Sequence, residues 1–214
     1  MPLGGTTKDE NYSPFEGGAG GCPMVNMALE SRRTPPYAPL DRGDFQRRTC
    51  MEELHDVGKA FIQQARDHLK EDFLPKIRQC LEVLEEEDLW WRAHENNNSV
   101  GNLMLHLTGN VRQWIVSGVG GAPDLRERSK EFSERNGIPK KDLLLKLEET
   151  MVQADQVLSS LSPPYLLEQR TIQGFRRTVL EVIFHVVEHF SFHTGQIIYI
   201  TKLRRGIDLR FYNL

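Results

Sequence analysis

Val179-Leu180-Glu181-Val182-Ile183-Phe184-His185-Val186-Val187-Glu188-His189-Phe190-Ser191-Phe192-His193-Thr194-Gly195-Gln196-Ile197-Ile198-Tyr199-Ile200 is apolar nearly all round when wound as a helix. Thr178 ahead of it and Glu181 three residues later form a capping box, so the helix starts there. Arg204-Arg205-Gly206 supplies cations for the C-terminal dipole and a terminal glycine, so it ends near Arg204. A helix this apolar must be surrounded by others, and it is predicted to be the most buried element.

The partners lie upstream. From about Phe45 to Leu84, apolar residues recur at spacings of three and four, giving a first long helix bent near Pro75, where a ladder bond is lost. Ser99 is an N-cap for a second helix running from Val100 to about Ser117 and stopping at Gly118-Val119-Gly120-Gly121. Residues 118–137 read as a long connection, and Lys140 to Leu161 form a third helix entered through Pro139 and stopped by Pro163-Pro164. A short extended piece, Glu168 to Phe175, turns at Gly174. With no strand-period segment and no internal repeat, the fold class is all-α, a four-helix bundle with a long crossover between helices two and three.

The bundle occupies residues 44–214. Residues 1–43 carry 13 of the 28 glycines and prolines of the 214-residue chain, and they are predicted to be a disordered tail because they cannot bury enough apolar surface. A net charge of −3 supplies no basic field for nucleic acid or anionic lipid. No apolar run approaches the roughly 20 residues of a membrane span, and MPLGGTTKDE is not a secretory signal. Three scattered cysteines, Cys22, Cys50 and Cys80, fit a reducing compartment, not a disulfide framework or a thiolate zinc site. A cytoplasmic location is expected.

Set into helix four are His185, His189 and His193, at i, i+4 and i+8, a column of imidazoles on one face. An imidazole buried without a partner costs on the order of 1–3 kcal/mol per polar group. Backbone carbonyls or carboxylates can satisfy such rings in a metal-free core. Histidine pairs four apart on a helix are also the device that chelates zinc and similar ions. Helix two offers a further ligand in His106, within Leu103-Met104-Leu105-His106-Leu107, and Gly101 and Gly109 beside it would let a neighbouring helix approach closely. His55, His68 and His94 lie in polar surroundings and read as surface residues.

Ser99-Val100-Gly101-Asn102-Leu103-Met104-Leu105-His106-Leu107-Thr108-Gly109-Asn110, followed by His189-Phe190-Ser191-Phe192-His193-Thr194-Gly195-Gln196-Ile197, resembles the DinB-like superfamily across about residues 45–204. The resemblance implies a four-helix bundle, frequently a homodimer, binding one divalent metal through a helix-two histidine and a helix-four pair. Carried over residue by residue, the ligands are His106, His189 and His193, and His185 extends the column one turn beyond them as a pocket residue. Members of the superfamily with known activity include thiol-dependent S-transferases and a mycothiol-dependent isomerase.

With three protein ligands and open positions, a Zn, Ni, Mn or Fe ion could activate water or stabilise the thiolate of a low-molecular-weight thiol cosubstrate. The reading is a metal-dependent thiol S-transferase or hydrolase acting on a small-molecule substrate. The alternative is a non-enzymatic metal-binding or dimerisation bundle whose metal is structural, with His185 closing the coordination shell. Gln196, three residues beyond His193, and Asn110, four beyond His106, are candidates to orient the rings. No carboxylate has the spacing of a general acid or base, and Glu188 diverges from His189 by about 100°. Trp114 is a core aromatic or a pocket wall, and Trp90-Trp91 closes one end of the core. The alternating charges Asp124, Arg126, Glu127, Arg128, Lys130 and Glu131 read as a solvated loop or short helix. Arg176-Arg177 reads as a surface pair, and Lys202, Arg204 and Arg205 need no partner beyond the helix dipole.

Overall fold

The computed structural model describes residues 50–211. The predicted tail, residues 1–43, lies outside that range. Four long helical stretches form an all-α bundle. The first comprises α1 (Cys50–Asp67), a π-helical segment (His68–Phe73) and α2 (Leu74–Val83), followed by the single turn α3 (Glu86–Leu89). The second is α4 (Val100–Val111), running on into a π-helical segment, Arg112–Val119. The short α5 (Arg128–Ser133) precedes α6 (Lys140–Ser160). A 3-10 turn, Pro163–Leu167, leads to strands β1 (Gln169–Ile172) and β2 (Phe175–Thr178), and α7 (Val179–Arg205) closes the fold.

The helix starts follow from capping chemistry. The Ser99 hydroxyl accepts from Asn102 N–H at 3.1 Å, and Thr178 Oγ1 accepts from Glu181 N–H at 3.2 Å. Gly206, at φ +63°, ends α7 in the left-handed conformation that glycine adopts without strain. At Pro75 the helical backbone runs on without a break: the π-helical segment His68–Phe73 ends directly before α2, and Pro75 stands in the first turn of α2.

Two expectations are corrected. The segment after Pro163-Pro164 is a β-hairpin, with Ile172 paired to Phe175 across Gln173-Gly174. Both turn residues have positive φ, +53° and +80°, as a type I′ turn requires, and four-residue strands are too short to show a period in sequence. The second concerns α7, which is not buried all round. Val182, Ile183, Val186, Phe190 and Ile197 are in the core, whereas Phe184, Phe192 and Tyr199 are 60%, 63% and 69% exposed. A helix on the outside of four cannot bury its full circumference.

The core is a continuous cluster from all four stretches, including Leu69, Ile77, Leu103, Leu107, Leu147, Leu158 and Phe190. At one end Trp90 lies over α4, and a Cβ on Gly101 would sit 2.8 Å from its ring, so the glycine close to His106 accommodates an indole, not a neighbouring helix. At the same end Asp88, 4% exposed, accepts from Arg204 at 2.8 Å and Arg205 at 3.2 Å, so the α7 cations do have a partner. The connection between α4 and α6 is a built element, not a bare crossing, because α5 packs against α4. No helix among the described residues is long and apolar enough to cross a membrane.

Candidate functional site

His106 enters the core from α4, while His189 and His193 enter from α7, one helical turn apart. Their ligand-capable nitrogens all lie within 4.8 Å of one another. His106 Nε2 and His189 Nε2 are 2.8 Å apart, and the His189 and His193 rings meet edge to face with centroids 4.4 Å apart. Within the described residues these three form the group of metal-capable side chains, and His55, His68 and His94 do not join it.

Two of the three rings, His193 and His106, are held from outside by a hydrogen bond. The His193 Nδ1–H donates to Gln196 Oε1 at 2.8 Å, so Gln196 fixes the ring and leaves Nε2 directed inward. The His106 Nδ1–H donates to Glu131 Oε2 at 2.9 Å, which likewise leaves Nε2 as a lone-pair donor. Glu131 comes from α5, within the segment whose alternating charges read as solvated, yet its residue exposure is only 7%. Arg126 clamps it with Nε at 2.7 Å and Nη2 at 2.9 Å, and Gln113 Oε1 accepts from the same guanidinium at 2.8 Å. Sequence spacing could not reveal this carboxylate, which lies 25 positions from His106. The available signal was Gly109, one turn along α4: a Cβ there would run into the Glu131 carboxylate and sit 2.9 Å from Arg126 Nε.

Burial sets the electrostatics. It pushes the His189 imidazole down to about 3, helped by His193, His106, His185 and Arg126. Burial also lowers His193, against the raising effect of Gln196, and lowers His185, against that of Glu188. For Glu131 burial acts upward, but the hydrogen bonds from Arg126 and His106 outweigh it and keep the carboxyl below its ordinary range. Near neutrality the helix-seven imidazoles are therefore unprotonated, the form in which histidine ligates a metal.

His185 stands outside the group of three. Its ring meets Trp114 at a 54° tilt with centroids 4.6 Å apart, and it lines a cleft of about 360 Å³ with His106, His189, Asn110 and Trp114. Asn110 faces this cleft, and its buried Oδ1 has no hydrogen-bond partner, so it does not orient a histidine through that oxygen. The hairpin covers one side. Gln173 Nε2 donates to Gln113 Oε1, Ile172 packs on Gly118, and Phe175 and Arg177 line the opening. Arg177 therefore belongs to the cleft wall, not to an isolated surface pair.

Three convergent imidazoles, one with a carboxylate behind it and another with an amide, are a donor set suited to a divalent ion such as Zn, Ni, Mn or Fe. Cys80 is fully buried and burial pushes its thiol up, so it is no nucleophile.

A family described as "Protein of unknown function (DUF1572)" matches residues 56–212. The fold is similar to that of a DinB-like protein from Bacillus cereus ATCC 10987, with a TM-score of 0.55 and 15% identity over 72% of this chain and 97% of that one. No curated protein matches the chain. The likeness extends to the fold, which is DinB-like.

Proposed function

Because the chain belongs to the DUF1572 family and has a DinB-like fold, we propose that it is a metal-dependent enzyme acting on a small molecule, with His106, His189 and His193 as ligands and thiol transfer as its chemistry. The observation that carries this reading is the convergence of the three imidazoles at the edge of a cleft, with the ring nitrogens of His106 and His193 that face away from the cluster already hydrogen-bonded. A bound divalent ion would supply Lewis-acid chemistry there, lowering the pKa of a small thiol or of water.

The residues around the ligands favour a thiol over water as nucleophile. A carboxylate free to accept a proton would assist hydrolysis, and both carboxylates of the site are committed. Glu131 accepts from His106 and Arg126, and Glu181 caps α7 through Thr178 N–H at 2.7 Å. A thiol, more acidic than water, has a sufficient acceptor in His185, whose unprotonated ring lines the cleft against Trp114. In this role His185 takes the thiol proton while sulfur bonds to an electrophilic carbon; the bond from that carbon to its leaving group breaks, and the departing anion takes the proton back from His185. Its place beside Trp114 also argues against a closed four-histidine shell.

Elemental analysis of untagged protein tests the metal, and His106→Ala and His189→Ala are the controls. One equivalent in wild type and none in the variants is expected; wild type that stays metal-free after supplementation with zinc, nickel, manganese and iron overturns the site. With metal bound, thiol consumption against a model alkylating electrophile is expected to exceed that of both variants at least tenfold. Equal rates sink thiol transfer.

A further inference from the structure

The wall of the histidine cleft differs in chemistry from its floor. Phe175 and Arg177 are two apart on β2 and so project to the same face of the strand, and both line the cleft opening. Arg128, on the opposite rim, lines it too, with its guanidinium 5.3 Å from the Phe132 ring centroid. Among the lining residues three guanidiniums, Arg126, Arg128 and Arg177, face one carboxylate, Glu181, which already caps α7. Arg126 is neutralised by Glu131 behind it. Arg177 feels the Glu181 charge at longer range, but among the described residues neither Arg128 nor Arg177 has a carboxylate within ion-pair distance.

Two further observations mark this as a built opening. Gln173, a non-glycine residue at φ +53°, holds a strained conformation at the tip of the hairpin, and its side chain is tied down to Gln113 beside the cleft. Asn110, 4% exposed, presents a polar floor whose buried Oδ1 lacks a donor. The hairpin is thereby fixed so that an aromatic ring and a cation, side by side, overlook His185 and His189.

We infer that the cleft binds a small organic anion, an aromatic or apolar body bearing a carboxylate or phosphate, with Arg177 and Arg128 taking the anionic end and Phe175 and Trp114 the body. The inference deepens the proposed function by naming the ligand class of the same cleft, and it rests on that cleft being the working site. A volume of about 360 Å³ suits a molecule of this size. Guanidinium groups pair with carboxylate and phosphate in the same forked geometry, which is why both anions fall in one class.

The probes are phenylacetate, phenyl phosphate and the uncharged phenylacetamide, titrated calorimetrically into the full chain, once dialysed free of metal and once loaded with zinc. In the metal-free protein at least one acid is expected to bind at least tenfold more tightly than the amide, and the tighter of the two identifies the headgroup. Arg177→Gln, at an exposed strand position, is expected to remove most of that preference, and Arg128→Gln the rest. Phe175→Ala is expected to weaken acid and amide alike. Acid and amide binding equally, an unchanged preference in the double arginine variant, or no binding of either acid overturns the inference. Because the preference is read without any ion, its failure leaves metal binding standing, and a protein that takes up no metal leaves the anion result standing.

Discussion

Glu131 accepts from both His106 and Arg126, so its removal separates positioning from ligation. Glu131→Gln keeps the shape but can no longer accept two charge-assisted bonds, and metal affinity is expected to fall roughly 10–100-fold with the helical circular dichroism unchanged. The same measurement at different pH tests the imidazoles. Burial holds His189 and His193 below their ordinary pKa, so protons compete poorly with a metal at these two positions. Two imidazoles at the ordinary value of about 6.5 would cost roughly fifteenfold in affinity between pH 7.5 and 6. A much smaller loss is expected here, and a fifteenfold loss in a competition titration would show that the rings are not withdrawn from water as the packing requires. At this scale the sequence was informative where chemistry repeats along one helix. His189 and His193 share a face of α7, and Gln196 lies within the next turn. It was silent on Glu131 and Arg126, which reach His106 through a loop whose charges look solvated until packing buries them.

On the scale of elements, the close approach of α5 to α4 depends on Gly109. Alanine is the better helix former by about 1 kcal/mol, so Gly109→Ala would stabilise an isolated helix. In the bundle its Cβ would displace the Glu131 carboxylate and crowd Arg126. The expected outcome is a metal affinity reduced about as far as in Glu131→Gln, with thermal stability little changed; unaltered affinity would show that α5 shifts without consequence for His106. The other end of the molecule gives a test of stability alone. Asp88 joins α3 to the end of α7 through Arg204 and Arg205, and Asp88→Ala removes the buried acceptor they share, leaving Arg205 only the exposed Glu85 at 3.6 Å. A loss of about 1–3 kcal/mol is expected by urea denaturation, with metal stoichiometry intact. Helix starts at Ser99 and Thr178 were legible because capping is local chemistry. The hairpin was not, since its register comes from pairing between two strands of four residues, and the exposed face of α7 was not, since an apolar residue carries no mark of which side has neighbours.

For the whole molecule, burial of the histidine column couples the site to folding. His185, His189 and His193 all have lowered folded-state pKa values, His189 down to about 3, whereas the unfolded chain takes up protons near the ordinary 6.5. Between those limits the unfolded state binds more protons than the native one, so stability rises with pH and is lost as pH falls from about 6.5 toward 3. Glu131, Asp88 and Asp155, held below the carboxylate range by arginine partners, add to the loss at the acid end of that window, below about pH 4. The metal-free protein is therefore expected to lose several degrees of melting temperature between pH 7 and 5. His185→Gln combined with His189→Gln should flatten that slope, and an unchanged slope would place the titration elsewhere. Every residue named in this coupling lies within the unit Phe45–Leu214. Deletion of residues 1–43 should then shift the melting temperature by no more than about 2 °C at pH 7, preserve the acid slope and leave metal stoichiometry unchanged. A truncated protein that melts earlier, or that takes up less metal, would assign the glycine- and proline-rich segment a part in holding the histidine cleft.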